Sequence, residues 1–496
     1  MNSKFLSLVL VGCFFFGFSL CNQPKTKIAK RLPFDSIEKT KKESIYPYLY
    51  TGKLNLEHFI RLKNDIRAHH LTSSPTNMSA CYANAIAKAY ELLGIQIYPK
   101  TYYELYQQKP DVIPSGTVLP FENQKFIQIK QSRLEKENQS AIQPKYKKEL
   151  NIHMADLQID QFEFEENLNY IFLMGKMDPK FKDKLDEFQE KLIFQAMSGF
   201  IEELDPHSSV YQTSSIQNNF SFNVLDNISH QIFTGYPDIL YIKIKNFITY
   251  DDKFTTSSAT KKIIEHYLNE KMKNQNQIGA VLFDLRECEK TNLTELEKFL
   301  SLFIKSNQMF SLQDKYAKTI HPSIRDETII WEGPIAILVG PNTKGGAELI
   351  TGSFQQNRNS LVFGSKTFGQ GTFQVFFEIG KKTGYFSGIT NKRMILSSGE
   401  EIQGYGITPD IIIDDPKKDP NQMDETKYWN WIKPLAENKR NPSHLIQQNL
   451  DKQLRTNSSN NGMFTEVNPT RMDFVLSRAI EYYQLYLNKR QEKIFN

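Results

Sequence analysis

Cysteine is scarce in this chain of 496 residues: four occur, at positions 13, 21, 81 and 288. Setting aside Cys13 and Cys21 near the N-terminus leaves Cys81 and Cys288, so no disulfide framework can hold the fold. Those two are read as buried free thiols. An excess of one charge is also lacking. The 61 basic and 56 acidic residues leave a net +5. They are interspersed, with no long basic run, which argues against nucleic acid as a partner. Long apolar runs are missing outside Phe5–Leu20, a stretch too short to span a bilayer comfortably but suited to a signal-peptide h-region. No internal repeat is visible. His69-His70 has no carboxylate or third histidine at ligand spacing, so the pair is read as a solvated helix end, and neither metal nor cofactor is expected.

The apolar leader follows a single lysine, Lys4, and ends in Phe18-Ser19-Leu20-Cys21, which resembles a relaxed bacterial lipobox. This implies a signal peptide over 1–20, lipidation at Cys21, and a lysine-rich tether over 21–55 holding an exported protein to the cell envelope. Beyond the tether, apolar residues recur at three- and four-residue spacing over Leu56–His69 and Cys81–Leu93, as in amphipathic helices. They open an N-terminal helical region, 56–150, and by themselves could form one tetratricopeptide-like hairpin. Residues 107–148 are polar and poorly periodic, and are read as an irregular connection. A second helical segment, 151–211, carries Phe181, Leu185, Phe188, Leu192 and Ala196 on one stripe. It stops at Leu204-Asp205-Pro206-His207-Ser208, where proline ends the helix.

The informative stretch is 334–374. Ile335–Val339 reads as a strand buried on both faces, followed by a glycine-bearing turn over 342–346 and a helix from Ala347. A second apolar strand, Leu361–Phe363, then meets a glycine-rich loop, 364–371. A sharp strand-to-helix turn beside such a loop is where α/β proteins place catalytic groups, because backbone N–H groups converge at the helix start.

That stretch resembles the core of the carboxy-terminal processing (tail-specific) serine peptidases, whose strand leads into S-A-S-A-S-E and on to G-E-K-T-F-G-K-G-x-x-Q. Glu348 and Gly364-Ser365-Lys366-Thr367-Phe368-Gly369 fix the register. Further landmarks agree in order: L-D-P-H-S at 204–208, D-L-R at 284–286, and G-I-x-P-D ending at Asp410. The resemblance implies an α/β (α+β) peptidase core of the ClpP/crotonase-like type over 238–415, with an N-terminal helical domain. A linker over 416–470 and a C-terminal helix, 471–496, packing back on the core complete the chain. Strands are expected at Asp238–Phe247, Ile278–Arg286 and Thr328–Trp331, with helices at Thr260–Lys271 and Leu296–Ile304.

In the family the middle serine of the first motif is the nucleophile, the lysine of G-K-G the general base, and the following glutamine its support. The register puts Gly345, Gln370 and Gln374 at these positions. Glycine carries no nucleophile, and an amide cannot take a proton as a desolvated lysine can. The family's N-x-P-G-G, whose glycine N–H builds half the oxyanion hole, is replaced by Glu287-Cys288-Glu289-Lys290-Thr291. Cys288 beside that position reads as a structural thiol, not a substitute nucleophile. His207 and Ser208 belong to a motif that is structural in the family. The 26 residues between Tyr211 and Asp238 cannot hold the usual PDZ domain. The expectation is a pseudopeptidase: an envelope scaffold, or a lipoprotein binding a peptide or protein. The alternative is an active serine-type endopeptidase with a displaced pair, Thr343 or Ser365 with Lys344 or Lys366.

Overall fold

The computed structural model describes residues 46–495 other than 73–77, 107–116, 120–124, 131–143, 214–223, 236, 250–254, 275–277, 306–308, 322–328, 358–359, 418, 420, 437–446, 449 and 452–472. The leader, Cys21 and most of the tether lie outside these residues.

Helix α1 (Leu56–His69) begins at a capping box. The Asn55 side chain accepts the N–H groups of Glu57 and His58, and His58 Nδ1 accepts that of Asn55, satisfying donors a helix start leaves open. Its buried face is Leu56, Phe59, Leu62 and Ile66. Helix α2 (Met78–Glu91) follows, then β1 (Gln96–Pro99), α3 (Lys100–Tyr106), β2 (Thr117–Leu119), β3 (Phe126–Lys130) and α4 (Pro144–Asp156). The stretch read as irregular therefore holds β2, β3 and the start of α4, and the strands form an antiparallel sheet of order β1-β3-β2. Three to five residues each, they are too short to show a period. Helices α5 (Gln161–Met177) and α6 (Leu185–Glu202) close the unit.

Helices α1, α2, α5 and α6 share one core, with Phe59, Phe164 and Phe200 in ring contact. Gly199 lets α6 approach α2 closely: a Cβ there would stand 2.7 Å from Asn84 O. The α1–α2 pair is thus half of a mixed bundle and not a stacked repeat.

The main sheet has order β16-β13-β12-β8-β6-β5. Its strands are β5 (Ile228–Phe233), β6 (Asp238–Ile244), β8 (Ile278–Asp284), β12 (Ile335–Val339), β13 (Leu361–Gly364) and β16 (Ile411–Ile412). All pairings are parallel except β5 with β6. Strand β5, within the 26 residues between Tyr211 and Asp238, is an edge with a mostly exposed face. A short parallel pair joins β7 (Asn246–Phe247) to β9 (Lys290–Thr291).

Helices α7 (Thr256–Asn274), α8 (Leu293–Ser301) and α9 (Gly346–Asn357) cover one face, where Phe283, Phe299, Phe303 and Phe354 form a ring cluster. Helix α10 (Phe474–Phe495) covers the other with Leu476, Ile480, Tyr483 and Leu487. Of the expected strand at Thr328–Trp331, Thr328 lies outside the described residues. Ile329–Trp331 is not a strand; the buried Trp331 ring donates its Nε1–H to Pro334 O at 3.2 Å.

A second sheet joins the two units. Strand β15 (Tyr385–Leu396) pairs with β14 (Thr372–Glu378) on one side, and with β10 (Phe310–Gln313) and β4 (Ser209–Gln212) along the other; β11 (Thr319–Ile320) flanks β10. Tyr385 and Ile389 enter the bundle core, while Met394 and Leu396 enter the main core. The stretch 421–436, read as linker, instead packs down: Glu425 and Ile432 are buried, and a Cβ on Gly404 would sit 2.5 Å from the Trp431 ring. Among the described residues no helix is long and apolar enough to cross a membrane.

Candidate functional site

Strand β12 ends in a turn that the sequence closes internally. The Thr343 hydroxyl donates to Leu285 O at 2.8 Å and accepts the Gly340 N–H at 3.1 Å. The Lys344 N–H donates to Cys288 O at 3.0 Å. Gly345 then has φ +58°, a left-handed conformation open to glycine at low cost, and α9 starts one residue later.

Glu348, in the first turn of α9, is sealed from solvent and gathers the loop around itself. Its carboxylate accepts the N–H groups of Gly345 (3.0 Å), Gly369 (2.7 Å) and Gln370 (2.8 Å) and the Thr367 hydroxyl (2.5 Å). Burial pushes this carboxyl up to about 7, against the four hydrogen bonds that favour its ionised form. One carboxylate thus holds the turn at Gly345 and the loop at Gln370 together. A Cβ on Gly345 would lie 3.7 Å from Gln370 Oε1, so the two positions taken from the resemblance face each other.

Around them the site is closed or neutral. A Cβ on Gly346 would stand 2.4 Å from the Thr291 methyl, which places Thr291 over the first residue of α9. Cys288 is buried, and its thiol is pushed up by burial and then by Glu289; it is no nucleophile at neutral pH. Cys81 is also free and buried, as expected.

Among the described residues, no hydrogen bond joins Thr343 or Ser365 to the amine of Lys344 or Lys366. The single Thr343 proton is committed to Leu285 O. The Lys344 amine lies 3.4 Å from Glu289 Oε1 and 4.8 Å above the Phe368 ring. Lys366 is exposed beside half-buried Ser365.

The turn at 205–208 is the opposite wall. Asp205 is buried, and its carboxylate accepts His70 Nε2–H (2.7 Å), the Thr390 hydroxyl (2.9 Å) and the N–H groups of His207 (2.8 Å) and Ser208 (3.0 Å). Burial would raise this carboxyl, but its partners, His70 foremost, hold it well below the usual carboxylate range. His70 is therefore not a solvated helix end. The Thr72 N–H points at its Nδ1 at 3.1 Å, leaving Nε2 to carry the proton given to Asp205. The structure thus sets His70 in a buried joint with a carboxylate 135 residues away in sequence.

His207 is held by Glu425, Nε2 to Oε2 at 2.7 Å, and Gln403 donates to Glu425 Oε1 at 2.7 Å. A ring oriented by a buried carboxylate resembles half of a hydrolytic triad, but the neighbouring Ser208 hydroxyl donates to Thr390 Oγ1 (3.2 Å) and accepts the Thr390 N–H (3.0 Å). Glu425 escaped the sequence reading because its stretch is polar, and its partners lie 22 and 218 residues away.

Between the two walls lies a cavity of about 600 Å³, lined among others by Gln370, Gln374, His207, Tyr211, Trp429 and Asn430. Among the described residues no group of three His, Cys, Asp or Glu side chains could hold a metal ion.

Residues 238–413 match the family described as Peptidase family S41. The chain is 26% identical over 175 residues to carboxyl-terminal-processing peptidase 2, chloroplastic, of Arabidopsis thaliana, covering 35% of this chain and 32% of that one. It is 32% identical over 146 residues to a probable CtpA-like serine protease of Staphylococcus aureus, covering 29% of each. The chain therefore spans about a third or less of these relatives. Among solved structures, the photosystem II D1 C-terminal processing protease aligns over 39% of this chain and 49% of its own at 16% identity and a TM-score of 0.33. Mature CPAF aligns over 41% and 51% at 13% identity and 0.29. The α/β core over residues 238–413, preceded by an N-terminal helical region, is thus the part of the chain that matches peptidase family S41.

Proposed function

We propose that this chain is an exported, lipid-anchored member of the family whose hydrolytic centre has lost its reacting groups, and that it binds a polypeptide in the cavity and releases it uncut. The observation that carries the reading is the approach of Gly345 to Gln370. Where a Cβ would lie 3.7 Å from the facing side chain, one residue has no side chain and the other ends in an amide. Thr291 over Gly346, with Lys290 and Thr291 at the two glycine positions of the motif and the acidic Glu287 and Glu289 just before them, supports it from the oxyanion side, since negative charge there opposes a developing oxyanion. The leader and Cys21 support export and anchoring.

The test incubates the mature chain with an unstructured polypeptide and a fluorophosphonate probe, read by mass spectrometry. The expected result is an intact polypeptide and no adduct. Cleavage that disappears in Lys366→Ala, with an adduct on Thr343 or Ser365, would overturn the reading in favour of the displaced pair.

A further inference from the structure

The second sheet has two unlike faces. Val210, Ile389 and Phe377 point into the helical bundle. The alternate residues, Tyr211, Phe376 and Gln374, point the other way, as the two-residue period of a strand requires. The Tyr211 and Phe376 rings lie 5.9 Å apart and bridge across Gly388, where a Cβ would come within 3.0 Å of Phe376 and 3.2 Å of Tyr211. Phe376 is 46% exposed. These rings form a shelf, and Tyr211 and Gln374 also line the cavity that reaches Gln370.

Gln374 has one unusual feature. Its Nε2 is buried and has no hydrogen-bond partner, whereas buried polar groups in folded proteins are paired almost without exception. A donor held dry at the wall of a cavity is matched by a ligand acceptor. The charges in the lining narrow the choice. His207 is already bound to Glu425 and Asp205 to His70, and Lys147 shares the lining with the carboxylates of Glu202 and Asp205. The lining therefore offers no net positive charge to a terminal carboxylate or a phosphate.

We propose that the cavity binds an internal, extended segment of polypeptide through its backbone. One peptide carbonyl accepts from Gln374 Nε2, and an aromatic or large apolar side chain two residues away rests on the Tyr211–Phe376 shelf. Gln374 and Phe376 are themselves two residues apart on β14, and an extended ligand repeats with the same rise, about 6.6 Å per two residues. This rests on the emptied-centre reading only in that the segment leaves uncut.

The experiment titrates the whole chain with a ten-residue unstructured peptide containing one central phenylalanine, acetylated and amidated at its ends. The readouts are Trp429 fluorescence, with Trp429→Phe to assign the signal, and anisotropy of a labelled peptide. Saturable binding is expected, weakened about tenfold by Gln374→Met and at least as much by Phe376→Ser. Replacing the peptide's phenylalanine by serine should weaken it similarly.

Gln374→Met should leave the thermal midpoint unchanged or higher, because it removes a buried unpaired donor; a merely structural glutamine would lower it. The proposal fails if wild type shows no saturable binding, or if both variants bind as wild type does. It also fails if only a peptide with a free C-terminal carboxylate binds. Binding followed by cleavage would sink the emptied-centre reading and leave the site assignment standing.

Discussion

His70 Nε2 lies 2.7 Å from Asp205 Oδ2, with both side chains sealed from solvent. His70 caps α1, and Asp205 sits in the turn that walls the cavity. Through the Thr390 hydroxyl, 2.9 Å from Asp205 Oδ1, the pair also grips β15. The bundle and the second sheet therefore meet on one buried carboxylate.

Removing one partner strands the other. His70→Ala is expected to destabilise the chain by about 3–5 kcal/mol, the cost of an uncompensated buried charge, with urea unfolding as the measurement. Because the Asp205 carboxyl is held below its ordinary range, its contribution is present above about pH 4 and is lost as pH falls through the folded value. Asp205→Asn should flatten that acid limb.

Glu348 has the opposite sign. Its carboxyl is pushed up to about 7 from 4.5, so its contribution is complete below about pH 4.5 and is lost as pH rises through 7. The thermal midpoint of wild type should fall between pH 5 and 8 by more than that of Glu348→Gln. A larger fall in the variant would show that Glu348 is not the group titrating.

Placing a serine at 345 and a lysine at 370 is expected not to produce hydrolysis. Gly345→Ser meets no clash, since the nearest atom to its Cβ is 3.7 Å away, but φ +58° should cost about 1–2 kcal/mol for a residue with a side chain. The Gly345→Ser, Gln370→Lys protein should fold, with a midpoint a few degrees lower, and give no peptide turnover, because Thr291 still covers Gly346. Turnover above background would show that an oxyanion site survives.

The C-terminal helix hangs on Arg286. Its guanidinium donates to both Asp473 oxygens at 2.7 and 2.8 Å and also to buried Asp284 at 2.7 Å. Asp473 in turn accepts the Leu476 N–H at the start of α10 at 2.8 Å. Arg286→Ala leaves Asp284 with Tyr241 as its side-chain partner and should cost about 2–4 kcal/mol. Limited proteolysis should release α10 earlier than in wild type.

Much of the architecture was legible locally. The stripe Leu476, Ile480, Tyr483, Leu487 announces α10, and the unbroken runs 335–339 and 278–283 announce β12 and β8, because burial on one or two faces writes a period or an apolar run into the chain. The faults cluster where the elements are too short, or too exposed, for such a pattern to show. Strands β2, β5, β10 and β11 span two to six residues; β5 and β11 are largely exposed, and they pair by backbone groups every residue carries. Residues 421–436 looked like linker because their buried members, Glu425 and Ile432, are scattered among polar neighbours.

By itself, the sequence determined the strand–turn–helix over 335–357 and the glycine and glutamine at positions 345 and 370, since the identity of a side chain is a local fact. Only the tertiary structure decided that Gln370 faces Gly345, that His70 is a buried partner of Asp205 and not a surface histidine, and that Gln374 holds an unpaired donor at a cavity wall. Each of these depends on groups brought together by packing from distant parts of the chain, and such proximity leaves no mark in the spacing of residues along it.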